Sequence, residues 1–200
     1  MNFREVEKKL CIIVDEQTTK FLAPEMDANA LLCMGYVDHE AGLTYEVLAV
    51  ASYCDGDYSV EWEAKDVSMK IRAEATEGKI IMPIENMVLM NKFRFKIDLL
   101  ETYYGNEEFL KCRKIKEIDE FRHPDFPDDV LLILPKEGNK PEKIWGRTVS
   151  FKGDDGEMIR LNVRLLNEPF EDFGVHWNDT IECVSLLNRE NERLLVGIVE

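Results

Sequence analysis

Along the first residues, Phe3, Val6, Leu10, Ile13, Val14, Gln17 and Phe21 recur at three- and four-residue intervals, a spacing that predicts an amphipathic helix over residues 3–22. Asn2 can cap its start, Glu5 and Glu7 suit the positive end of a helix, and Ala23-Pro24 ends it. One face of this helix is expected to pack on a sheet. From about residue 30 the period shortens. Ala30–Val37 and Leu43–Ser52 read as strands around the turn signal Asp38-His39-Glu40-Ala41-Gly42, with Asp55-Gly56 as a second turn. Tyr58, Val60 and Trp62 alternate with polar neighbours, as do Val67, Met69, Ile71 and Ala73. Glu77-Gly78 turns the chain into Lys79–Ile84. The series predicts an antiparallel meander with one wet face.

The middle of the chain is less regular. Phe93, Phe95 and Ile97 alternate, which predicts a strand over Asn91–Leu99, with a possible helical turn at Val88–Met90. Residues 107–118 fit either a short helix or a strand. Two prolines in Glu120–Asp129 remove backbone donors, so this stretch is a linker or an ordered loop. Val130–Leu134 is a short buried strand, and Lys136–Lys143 a polar loop. Ile144–Lys152 and Glu157–Leu166 flank the hairpin signal Gly153-Asp154-Asp155-Gly156, and Asp179–Leu187 pairs with Leu194–Val199 around Asn188–Asn191. Short strands in this number suggest a compact barrel or half-open roll.

Composition narrows the picture. The chain carries 40 acidic and 25 basic residues, a net charge of −15. That balance disfavours nucleic acid, whose binding rests on cations against phosphates, and anionic membrane surfaces. It favours encounter with a basic protein. The five cysteines, Cys11, Cys33, Cys54, Cys112 and Cys183, sit mostly inside apolar runs, as buried thiols do in a reducing compartment. No apolar signal core begins the chain and no long apolar span follows, so the expected location is cytoplasmic.

Catalytic signatures are absent: there is no phosphate-binding glycine loop, dinucleotide turn, Gly-x-Ser-x-Gly elbow, His-Glu-x-x-His or Cys-x-x-Cys. The three histidines, His39, His123 and His176, lie beside acids but without metal-ligand spacing, and Asp55-Gly56-Asp57 lacks the later Glu of a calcium loop. No cofactor and no metal are expected. The stretch with most character is Asn167–Asp179, where Phe170, Phe173 and Trp177 stand among Glu168, Glu171, Asp172 and His176. Aromatics in a loop either cover the end of the barrel or meet a partner. Those seven residues form the candidate binding set.

The run Ile144-Trp145-Gly146-Arg147, the following hairpin, Leu166-Asn167-Glu168-Pro169, and Gly174 through Asn178-Asp179-Thr180-Ile181 resemble a recurring bacterial module, the small YegJ-like domains of unknown function. The resemblance covers residues 144–187, with Asn178 where the module has glycine. It implies a β fragment and no reaction. Related modules occur in proteins thought to act as immunity or accessory partners.

The expected architecture is α+β: a helix packed on an antiparallel sheet over residues 1–120, then a small β-roll or partly open barrel over residues 125–200. The expected function is a non-enzymatic, immunity-like or regulatory module that binds a basic protein. The alternative is a hydrolase or metal-dependent enzyme with a site of dispersed histidines and carboxylates.

Overall fold

The computed structural model describes all residues except 1, 64–67, 139, 155, 157 and 200. Four expectations therefore fall partly outside the described residues: Val67 in its alternating run, Asn139 in the polar loop Lys136–Lys143, Asp155 in the hairpin turn and Glu157 at the head of the following strand. Two compact units divide the chain, Met1–Tyr104 and Gly105–Glu200. The boundary precedes the proline-bearing stretch in which the sequence suggested it. Among the described residues, no helix is long and apolar enough to cross a membrane.

The first unit is an antiparallel sheet with a core on each face. Its strands are β1 (Leu10–Val14), β2 (Ala30–Asp38), β3 (Gly42–Cys54), β4 (Asp57–Glu63), β5 (Lys70–Arg72) and β6 (Ile81–Ile84). They run in the order β4-β3-β2-β1-β6, with β5 also paired to β3. The long N-terminal helix does not form. Phe3–Glu5 is a single 3-10 turn capped by Asn2, and only Glu16–Leu22 is helical (α1), capped by Asp15. Between them Leu10-Cys11-Ile12-Ile13-Val14 is a central strand. Leu10 and Ile12 enter one core while Cys11 and Ile13 enter the other, so every position is apolar and the run mimics helical spacing. Phe21, assigned to the buried face of that helix, is 76% exposed. Nor does the sheet have one wet face: β2 is buried throughout, save an intermediate Asp38 at its end, and β3 through Val50 and Ala51.

The strand expected over Asn91–Leu99 is instead part of two helices, α2 (Met87–Lys92, capped by Asn86) and α3 (Arg94–Tyr104). Phe93 and Ile97 are buried in the core, with Leu100 packed against it, whereas Phe95 is 81% exposed. Burial at intervals of three and four residues, not two, fixes the helix.

The second unit begins with α4 (Glu107–Lys114), capped by Asn106, and a 3-10 helix at Lys116–Phe121. Then come β7 (Asp129–Leu134), β8 (Glu142–Asp154), β9 (Ile159–Leu165), β10 (Thr180–Leu187) and β11 (Arg193–Gly197). These strands form a closed barrel, β10-β11-β7-β8-β9, not a roll or an open barrel. Closure comes from β11, which pairs antiparallel with β10 and parallel with β7 at Val196 and Ile133. Leu132, Leu134, Leu161, Val163, Leu165 and Leu195 fill the interior. Gly146 is required there, because a Cβ would lie 2.3 Å from Val163 Cγ1.

The proline-bearing stretch is an ordered loop. Arg122 is buried and donates to the carbonyls of Pro127 (2.5 Å) and Cys112 (2.6 Å) and to Asp119 (3.0 Å). Beside it are two bidentate, buried pairs: Arg113 with Asp128 (2.8 and 2.7 Å) and Arg147 with Asp129 (2.6 and 3.0 Å).

Candidate functional site

Residues 166–179 link β9 to β10, and their shape is held by backbone N–H groups that donate to the loop's own carboxylates, by backbone bonds at its base and by two residues outside it. At the base, Leu165 N–H donates to the Asp179 carbonyl (2.8 Å) and Asn178 N–H to the Leu165 carbonyl (3.0 Å). Asn178 has φ +70, a left-handed conformation that asparagine tolerates better than most residues. Glu168 then works as a clamp. One oxygen lies 2.8 Å from His176 Nδ1 and the other accepts the Trp177 N–H at 2.7 Å. Asp179 accepts the His176 N–H at 2.7 Å. Asp172 accepts from Gly174 N–H at 3.0 Å, and Lys136 donates to the Asp172 carbonyl at 3.2 Å. Glu142, from the start of β8, receives the Phe170 N–H on both oxygens, at 3.0 and 3.2 Å.

These contacts bias both ionisable partners of the clamp toward their charged forms. The hydrogen bond to Glu168 and its charge raise the His176 pKa, helped by Asp179 and Asp172. The bonds from His176 and from Trp177 N–H lower that of Glu168.

The candidate set divides in two. Phe173 is fully buried and packs in the barrel core, so it leaves the candidate binding set and takes the other course open to a loop aromatic, covering the barrel. Phe170 is 96% exposed and Trp177 63%. Glu171 is exposed, while Glu168, Asp172 and His176 build the loop. One segment thus contains both a plug and a displayed aromatic pair. Glu142 and Lys136 were not legible as loop supports, because each is more than twenty residues away in sequence and carries no motif.

Other candidates reduce to structure. His123 Nδ1 accepts from the Asp125 and Phe126 N–H groups (3.2 and 3.3 Å), with its ring edge-on to Phe126 and Trp145. It shapes the loop before β7. Asp55 and Gly56 form a hairpin turn with φ +50 and +98. Among the described residues, no three His, Cys, Asp or Glu side chains are grouped to hold a metal ion. Cys11, Cys33, Cys112 and Cys183 are buried, which pushes the thiols of Cys11 and Cys183 up to about 12 and that of Cys112 to about 11. Cys54 is exposed. The geometry is that of an ordered loop with two exposed aromatics, Phe170 and Trp177, and comparisons with family models, curated proteins and solved structures find no match for the chain.

Proposed function

We propose that the protein is a non-enzymatic protein-binding module, immunity-like or regulatory and related to the bacterial YegJ-like domains, that docks a basic partner through the β9–β10 loop. The observation that carries this reading is Phe170, 96% exposed while its backbone is held by Glu142. Large aromatics displayed on a rigid support lose little freedom on binding and dominate interface energetics. Trp177 supplies a second anchor beside the Glu168 clamp. The net charge of −15 and the exposed Glu171 favour a cationic partner and faster encounter at low salt.

The test replaces both displayed aromatics. Phe170→Ser with Trp177→Ser is expected to weaken partner capture from the source cell by more than about tenfold, as the loss of hot-spot residues does. The melting temperature should stay within about 2 °C of the parent, because exposed side chains contribute little to folding. Capture undiminished by the double substitution refutes the proposal.

A further inference from the structure

The sheet of the first unit has two edges, and they differ. β6 is four residues long and contains Pro83, which lacks an N–H. Such an edge resists strand addition. β4 is seven residues long and contains no proline. Among the described residues, β3 is the only strand it pairs with.

The β3–β4 hairpin fixes which of its backbone groups face outward. Its two-residue turn makes Cys54 and Asp57 the closing pair. In such a hairpin the closing pair exchanges both backbone hydrogen bonds, and residues alternate from there. Asp57 and Ser59 bond inward to β3. Tyr58 and Val60 turn their N–H and C=O groups to the open side. The register then shifts: Val60 lies opposite Ala51 and Trp62 opposite Val50, so Glu61 is the extra residue of a bulge. The bulge leaves Glu61 and Trp62 exposed in succession and ends the regular edge at a pocket of about 320 Å³, lined by Val60, Glu61, Trp62, Glu63 and Lys92.

We propose that this edge is a docking site for a partner segment that is extended and basic, pairing with Tyr58 and Val60 and placing a Lys or Arg side chain in the pocket. An open ladder beside a side-chain-sized pocket is the geometry of strand addition, in which the backbone gives affinity and the pocket gives selectivity. Charge selects the occupant. β4 carries Asp57, Glu61 and Glu63 and no cation of its own. Pairing with a second copy of β4 would line carboxylates against carboxylates, which is destabilising. A cation already sits at this spot, since Lys92 Nζ lies 2.7 Å from Glu63. An incoming guanidinium would find Glu61 and the indole of Trp62, which attracts cations to its face.

The probe is the peptide acetyl-Thr-Lys-Val-Arg-Val-Lys-Thr-amide, added to the full chain while amide hydrogen exchange is followed by NMR. At saturation, exchange at Tyr58 and Val60 is expected to slow by about tenfold or more, as it does for amides drawn into a ladder. N-methylation of the peptide amides that face β4 should abolish this, whereas methylation of the alternate amides should not. Glu61→Lys, at an exposed bulge position, should weaken binding about tenfold, and added salt should weaken it further. Three results overturn the proposal: unchanged exchange at Tyr58 and Val60 with millimolar peptide, equal binding of a peptide with Glu for every Lys and Arg, or slowing that follows protein concentration without peptide.

Discussion

Truncating Phe173 to alanine removes a ring that the barrel encloses completely. The expected cost is about 3–5 kcal/mol, the range for large aromatics lost from cores. A denaturant titration of Phe173→Ala should show its midpoint well below the parent's, whereas Phe170→Ala should leave the midpoint almost unmoved. A comparable loss in both variants would show that the loop acts as one packed body and would remove the distinction between plug and display. In the sequence this loop stands out, because three aromatics lie among acids. The sequence could not say which ring turned inward. That depends on Glu142, from another part of the chain, receiving the Phe170 N–H, and on Glu168 accepting the Trp177 N–H across the loop. The cysteines show the same limit. Apolar neighbours reveal Cys33 as buried, but Cys54 ends a strand at a hairpin tip and is exposed.

At the scale of elements, the barrel unit is tied to its own approach segment by buried charge. Arg113 on α4 reaches Asp128 at the foot of β7 with both partners almost fully buried. Asp128→Asn keeps the shape and removes the carboxylate charge that both guanidinium bonds of the buried Arg113 meet. Breaking such a pair from one side costs about 3–5 kcal/mol. Thermal melts of this variant should show the barrel unit weakened, and a change of under about 1 kcal/mol, typical of exposed pairs, would mean that water compensates Arg113. Elements whose burial is one-sided or hairpin-linked were legible: β2, β3, β7 and β8 lie close to where alternation and turn residues place them. Two elements were misread for one reason. Leu10–Val14 is buried on both faces, so it has no two-residue period to detect. In Phe93, Phe95 and Ile97, the exposed Phe95 imitates a strand's alternation with a residue that faces outward. In each case tertiary surroundings decide what local pattern leaves open.

For the molecule as a whole, the closed barrel has a consequence in time. β11 is the stave between β10 and β7, and it is the last of the barrel strands to be synthesised. Until it arrives, β7 and β10 are both raw edges of an unfinished cylinder, with their ladder groups unmet and the interior open along one side. At ordinary rates of translation, the interval from β7 to β11 lasts on the order of several seconds to more than ten. The sheet of the first unit receives its last strand, β6, by Ile84, before any barrel strand is made. Nascent chains stalled before Arg193 should therefore protect the first sheet from protease while leaving the barrel segment open to cleavage, and chains extended past Gly197 should protect both. For that interval the emerging segment carries two unpaired strand edges, the condition in which a growing chain is most open to mispairing.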